Sequence, residues 1–245
     1  MMVEMTPELA EICGLHAGDG YMRVREDGKG EVSISGSYGE KEYYDKYIIP
    51  LFNKIFNLNI KGKFFSGGTY GFVSYQKIIR DTLLVNGFPP GKKTTIVRVP
   101  KSILDSNNKV LFCCFLRGLF DADGNLFFRK SYGTKNDFKN GHNHYPILSL
   151  TTSSQFLAEG IIKMLHNLDI NFYYYMRAPK RPNDNKRHVV SVSGTDELAK
   201  WMEMIGTKND AQFSRYLIWK KFGFCPSNTS LSQREDILNG KLAIS

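Results

Sequence analysis

The chain has 245 residues, enough for one large domain or two of ordinary size, and a hydrophobic fraction of 42% argues against disorder. Lys and Arg outnumber Asp and Glu by 33 to 24, and the resulting charge of +9 favours a polyanionic partner, nucleic acid ahead of an acidic membrane surface. No run approaches the roughly 18 apolar residues of a membrane span, and the N-terminus lacks the blocks of a signal peptide. The cysteines Cys13, Cys113, Cys114 and Cys225 form no Cys-x-x-Cys pair, so free buried thiols in a reducing, intracellular setting (cytoplasm or nucleoid) are expected.

In chain order, Thr6 and Pro7 open a helix that runs to Asp19. Alternation from Tyr21 predicts a strand with Arg23 and Arg25 on one face. After the turn Glu26–Gly30, Ser33, Ser35 and Ser37 alternate with Val32 and Ile34 in a returning strand. A helix follows over 40–56, kinked or divided at Pro50. Residues 57–65 read as turn and strand, 70–76 as a strand and 77–85 as a helix ending at Asn86-Gly87. The stretch around Lys92-Lys93 reads as a solvated linker, with a phosphate contact as the alternative. From Val110 an apolar helix reaches Asp123. Then come a strand over 126–130, a polar loop with Lys135, a strand over 147–152 and a helix over 155–165. A hairpin of 173–177 and 188–193 and a helix over 196–205 complete the second series. Gln212 to Phe222 predicts another helix anchored by Phe213, Leu217 and Trp219, and Ser232 with Glu235 reads as the capping box of a short last helix.

One short stretch occurs twice in this order: Gly14-Leu15-His16-Ala17-Gly18-Asp19-Gly20 and Gly118-Leu119-Phe120-Asp121-Ala122-Asp123-Gly124. Each closes an apolar helix with small residues four apart, then an aspartate and a glycine that reads as a helix stop. An aspartate at a helix C-terminus is mildly penalised by the dipole, so two at matched positions suggest a cation nearby. If the bare faces Gly14/Gly18 and Gly118/Ala122 pack together, Asp19 and Asp123 arrive side by side and repel unless protonated or sharing divalent metal. The turns Asn57-Leu58-Asn59-Ile60 and Asn167-Leu168-Asp169-Ile170, and the helix-ending Gly87 and Gly206, recur in the same order. The fold class is therefore α+β, a tandem duplication with 1–100 as first half, 101–224 as second half and 225–245 as a tail with a short helix.

With these two motifs inside a duplicated order of elements, the chain resembles the LAGLIDADG homing endonucleases in their single-chain, two-motif form. Its end, Trp219 to Pro226 and the helix after it, also looks like the free-standing enzymes encoded in archaeal ribosomal RNA introns. The resemblance implies αββαββα halves about a pseudo-twofold axis, motif helices packed at the centre, and two antiparallel sheets forming a DNA-binding saddle in the major groove. It implies a monomeric, sequence-specific endonuclease that makes a double-strand break at a long intron-insertion site by metal-dependent phosphodiester hydrolysis. Asp19 and Asp123 are then the essential ligands of two or three shared magnesium ions, assisted by the backbone carbonyls of Gly18 and Ala122.

Family members also place a lysine or polar side chain near each scissile phosphate. Lys77, with Gln76 beside it, is the first-half candidate, and its second-half counterpart stays open. The expected partner is double-stranded DNA, with intron RNA as a further one. Contacts are expected from Arg23, Arg25, Ser33, Ser35, Ser37, Arg129, Lys130, Lys135, Arg177, Lys180, Arg181, Lys186 and Arg187. Two positions depart from the family pattern: His16 replaces an aliphatic residue, and Ala17 stands where the second copy has Asp121, so unequal cutting of the two strands is expected. The rival reading is a binding module of the same fold, an intron RNA maturase or a regulator that does not cut.

Overall fold

The computed structural model describes residues 4–130, 143–179, 181 and 184–244, so Lys135 and Lys180 lie outside the described residues. The Thr6 hydroxyl accepts from the Leu9 amide at 3.2 Å and caps α1 (Pro7–Gly18), whose first position holds the proline. β1 (Gly20–Val24) and β2 (Gly30–Ser37) make the expected hairpin. Residues 38–56 are then helical without a break, but the pitch changes along them. A 3-10 turn at Tyr38–Glu40 leads into α2 (Lys41–Tyr43), a π turn at Tyr44–Ile48 and α3 (Ile49–Phe56). Pro50 falls in the first turn of α3, and the wide turn before it accommodates the proline without splitting the helix. β3 (Lys63–Phe65), β4 (Thr69–Ser74) and α4 (Lys77–Val85) complete the first half.

A short helix in the linker, α5 (Lys101–Leu104), was not legible in the sequence. The second half repeats the first as α6 (Lys109–Asp123), β5 (Gly124–Arg129), β6 (Tyr145–Thr152), α7 (Gln155–Asn167), β7 (Tyr173–Arg177), β8 (Arg187–Ser193) and α8 (Thr195–Met204). The two four-stranded antiparallel sheets have the same order, β1-β2-β4-β3 and β5-β6-β8-β7. The inward faces carry Val32, Ile34 and Phe72 in one sheet and Leu148, Leu150 and Val190 in the other, all in one core with α1 and α6. Because strand side chains alternate, the opposite face of the first sheet presents Arg23, Ser33 and Ser35.

The two motif helices touch backbone to backbone. A Cβ built on Gly14 would lie 2.1 Å from the Phe115 carbonyl oxygen, one on Gly118 2.2 Å from that of Glu11, and one on Gly18 2.6 Å from Ala122 Cβ. Only a bare face allows this approach, so the expected pairing of small residues holds. The pair is also tied by charge, since Arg117 Nε on α6 donates to Glu11 Oε1 on α1 at 3.0 Å and the Tyr47 hydroxyl donates to the same oxygen at 2.7 Å.

Several local expectations are corrected. Gly124 is extended (φ −81) and Gly20 has no positive φ; both begin strands rather than stopping helices in the left-handed region. They are glycines because a Cβ at Gly20 would lie 2.1 Å from the His16 ring and one at Gly124 2.2 Å from the Phe120 ring. The left-handed residue of the repeated turn is Asn57 (φ 51) in the first half and Asp169 (φ 56), not Asn167, in the second. The Leu58 amide bonds Asn53 O and that of Ile170 bonds Leu165 O, so the turns correspond two residues out of the sequence register.

Tyr173, Tyr174 and Tyr175 are all exposed rather than alternately buried, because β7 is an edge strand. In α9 (Asp210–Phe222) Trp219 packs against the core as expected, but Phe213 is exposed, and Ile218 and Gln212, which pairs with the backbone of β5, also seat the helix. The last helix, α10 (Leu231–Leu238), is capped by Ser230 with Gln233, two residues before the expected box. Ile237 packs with Ile218 and Cys225, so the tail docks on α9. All four cysteines are free and buried. Among the described residues, no helix is long and apolar enough to cross a membrane.

Candidate active site

Asp19 caps the C-terminus of α1 and Asp123 is the last residue of α6, so the close helix crossing delivers both carboxyls to one place. A Cβ on Gly18 would lie 3.2 Å from Asp123 Oδ2, which shows how closely the second aspartate overhangs the first motif. Asp19 is half-buried, and its carboxyl is pushed up to about 8 by burial first, then by the charges of Asp123 and Glu40. Asp123 presents more surface to solvent, yet its carboxyl lies in a concavity crowded by protein atoms and is raised by the same desolvation. The buried Tyr44 hydroxyl faces Asp19 without closing a hydrogen bond.

Lys93 enters this site from the linker. Its ammonium donates to the carbonyl oxygens of Ala17 at 2.8 Å and Gly18 at 2.7 Å, at the end of α1 where the helix carries its negative pole. Burial lowers the lysine's pKa, while Asp123 and Asp19 oppose that shift. A solvated linker lysine was the sequence expectation; the fold instead carries residue 93 back over a motif that precedes it by 75 positions. Lys93, Asp123, Thr151, Ser153 and Arg187 line one cavity of about 310 Å³, so Arg187, expected only as a DNA contact, borders the carboxylate site.

The second half places Asn209 at the station of Lys93. Its side-chain amide donates to Asp121 O at 3.0 Å, as Lys93 donates to Ala17 O, and also to Glu40 Oε1 at 2.7 Å. Glu40 Oε2 is held by the Ser37 amide at 2.9 Å and hydroxyl at 3.0 Å, so Ser37 orients Glu40 as well as lying at the end of β2. Glu40, Lys93 and Asn209 were missed in the sequence. The recurrence of motifs points to the aspartates, but nothing local marks residues that arrive from later loops.

The two departures from the family pattern have structural explanations. The Asp121 carboxylate turns away from the helix crossing to accept from the Thr207 hydroxyl, the Lys208 amide at 2.8 Å and the Tyr43 hydroxyl at 3.2 Å. It anchors the loop before α9, and burial raises it to about 7. Ala17 has no such loop to hold. His16 is fully buried edge-on against Phe88, with ring centroids 4.9 Å apart; burial and then Lys93 depress it to about 3, so it fills the core as a neutral ring.

Lys77 does not join the carboxylates. It is exposed on the first turn of α4, 3.9 Å from Asp81, and lines a separate cavity with Arg23 and Arg25. Ser33 and Ser35 lie across from Val73 and Gly71 on the outward face of the first sheet. In the second half Arg129 lies over the Tyr145 ring at 5.2 Å and Arg177 over Tyr175 at 5.4 Å; Lys130, Arg181 and Lys186 are exposed.

A divalent cation fits the donor set. Asp19 and Asp123 are hard oxygen ligands whose ionisation is suppressed without a counter-charge, and the Lys93 ammonium already rests on the Gly18 carbonyl. No group of three or more His, Cys, Asp or Glu able to hold a metal occurs among the described residues, and what this crossing offers is the pair of carboxyls of Asp19 and Asp123. Such a pair of carboxylates would suit a hard divalent cation that takes oxygen ligands.

Comparison with known proteins gives this geometry a context. Residues 113–206 match the family model described as a LAGLIDADG-like domain. No curated protein sequence matches the chain. Among solved structures, mesophilic variants of the homing endonuclease I-DmoI align with a TM-score of 0.55 at 16% identity, over 82% of this chain and 95% of theirs. I-DmoI in complex with DNA and Mn aligns at 0.51 and 16% identity over 82% and 96%. The meganuclease I-SmaMI bound to uncleaveable DNA aligns at 0.56 and 12% identity over 96% and 97%. The chain has the two-domain LAGLIDADG homing endonuclease fold.

Proposed function

We propose that the chain is a site-specific DNA endonuclease that makes a double-strand break at an intron-insertion site by magnesium-dependent phosphodiester hydrolysis. The observation that carries this reading is the convergence of Asp19, Asp123 and Lys93 at the crossing of two helices joined through glycine faces. The likeness to I-DmoI solved with DNA and Mn supports it.

Asp19 and Asp123 would hold the divalent cations; because Lys93 already covers the Gly18 carbonyl expected as a donor, the Ala122 carbonyl is the backbone oxygen left to assist. The bound metal polarises a phosphoryl oxygen and lowers the pKa of a coordinated water. Lys93 is suited to neutralise charge that develops on the phosphate, and Arg187, which lines the same cavity, to position that phosphate. Glu40, oriented by Ser37 and Asn209, is an acceptor for a proton of the attacking water in the first half. Arg23, Arg25, Ser33 and Ser35 on one sheet, and Arg129, Arg177 and Arg181 in the other half, supply phosphate and base contacts on either side.

Selection of cleavable duplexes from a random library, with and without magnesium, tests the reading. A defined family of cut sites that requires the metal is expected. Retention of particular duplexes without cutting in magnesium or manganese would replace the endonuclease by the binding-module reading.

A further inference from the structure

Tyr43, Tyr44, Tyr47 and Tyr70 pack ring against ring, and three of them direct their hydroxyls at carboxylates. The Tyr43 hydroxyl donates to Asp121 Oδ2 at 3.2 Å, that of Tyr47 to Glu11 Oε1 at 2.7 Å and that of Tyr70 to Asp45 Oδ1 at 2.6 Å. Tyr44 differs. It is 1% exposed, yet its buried hydroxyl has no hydrogen-bond partner among the described residues. A hydroxyl taken out of water without a partner is costly, and such a group in a folded protein calls for a specific explanation.

The surroundings name the acceptor. The carboxyls of Asp19 and Glu40 face the Tyr44 hydroxyl. Glu40 is already engaged on both oxygens, Oε1 by Asn209 at 2.7 Å and Oε2 by the Ser37 amide at 2.9 Å and hydroxyl at 3.0 Å. Asp19 remains. The ring is fixed for this approach, with Tyr43 and Tyr70 packed nearly perpendicular to it at centroid distances of 6.1 and 6.3 Å. A Cβ on Gly36 would lie 3.0 Å from the hydroxyl, so the bare glycine keeps the space beside it open. The π turn begins at Tyr44, a local widening frequent at functional sites. Adjacent in sequence, Tyr43 and Tyr44 thus address the two motif copies separately, Tyr43 holding Asp121 and Tyr44 facing Asp19.

We propose that Tyr44 is a positioning residue for the metal centre, its hydroxyl donating to the Asp19 carboxylate when that carboxylate ligates a divalent cation. The proposal rests on the metal-site reading above and deepens it. An ionised carboxylate accepts at about four lone-pair sites, so one hydrogen bond leaves the others to the cation. A ligand held this way keeps one orientation, and loss of such a partner weakens metal binding by roughly 10–100-fold. Asp123 faces the Lys93 ammonium instead, so different groups steady the two ligands.

Manganese titration, followed by the electron paramagnetic resonance signal of the free ion, tests this on the wild type and on single variants. Tyr44→Phe removes the hydroxyl and keeps the ring. Its manganese affinity should fall about tenfold, while the Tm of the metal-free protein does not fall, because a buried atom without a partner has gone. Tyr70→Phe loses a hydroxyl that serves Asp45 and should bind manganese as the wild type does. Wild-type affinity in Tyr44→Phe, or equal weakening by Tyr70→Phe, overturns the proposal. A lowered metal-free Tm in Tyr44→Phe also overturns it, because the hydroxyl is then already paired in the resting protein, by a buried water for instance.

Asp19→Asn separates the proposal from its premise. If that variant takes up manganese as tightly as the wild type, or the wild type takes up none, the metal-site reading fails and the role of Tyr44 with it. If Asp19→Asn is impaired and Tyr44→Phe is not, only the role of Tyr44 fails.

Discussion

Lys93 and Asn209 occupy equivalent stations in the two halves: Lys93 donates to the carbonyl of Ala17 at 2.8 Å and Asn209 to that of Asp121 at 3.0 Å. Ala17 and Asp121 each lie two residues before the motif aspartate. One station thus carries a positive charge, and the other a neutral amide committed to Glu40. The asymmetry expected from Ala17 and Asp121 therefore resides in the groups that contact their backbones.

Lys93→Gln should separate the two strand cuts. Loss of one charged donor at developing phosphate charge costs on the order of 10²-fold in rate. That loss should fall on one strand, so nicked plasmid accumulates, while Asn209→Ala should leave a smaller difference. Strand-resolved rates from end-labelled duplex check this, and equal slowing of both strands by Lys93→Gln would count against the assignment.

The carboxylate pair also predicts a pH dependence. Asp19 titrates at about 8 in the fold against an ordinary 3.8, so the folded state holds a proton that the unfolded chain releases earlier. This contribution is fully present below the unfolded value and is lost as pH rises towards the folded one. Metal-free protein should lose stability between about 4 and about 8 relative to Asp19→Asn, with no further relative loss above that. Urea unfolding of both proteins across the window measures the difference; a constant gap would refute the shift.

The helix crossing tolerates no side chain at its centre. Gly14→Ala or Gly118→Ala puts a methyl against backbone at 2.1 or 2.2 Å, where no rotamer change relieves it. Forcing the helices apart should cost about 2–4 kcal/mol, above the usual overpacking penalty because backbone must move. Denaturant midpoints report it, and cleavage should fall as the aspartates separate.

Glu11 and Arg117 are coupled across the same crossing, with Glu11 only 2% exposed. Arg117→Met alone should destabilise by about 3 kcal/mol because it strands a buried carboxylate, whereas Glu11→Leu with Arg117→Met should recover most of that. A double-mutant cycle measures the coupling.

Much of this was legible in the sequence, for reasons that particular residues make clear. Asp19 and Asp123 stand out because a motif occurs twice, and Gly14 with Gly118 because helical spacing puts small residues on one face. Alternation located the outward Arg23 and Ser33. Lys93 was not legible: its role depends on a linker folding back 75 positions onto Gly18, and nothing beside it distinguishes it from Lys92. Asn209 was hidden for the same reason. Asp121 carries a motif carboxylate, but its direction is fixed by the loop at Thr207 and Lys208. The turns at Asn57 and Asp169 show that sequence identity and backbone equivalence can differ by two positions when a helix end is extended.

The most direct test of the central claim is magnesium-dependent linearisation of a plasmid bearing a selected site by the single variants Asp19→Asn and Asp123→Asn. Each should retain duplex binding and fail to make the double-strand break, because each removes one of the two carboxylates proposed to hold the metal. Linearisation near the wild-type rate by both variants would contradict the account.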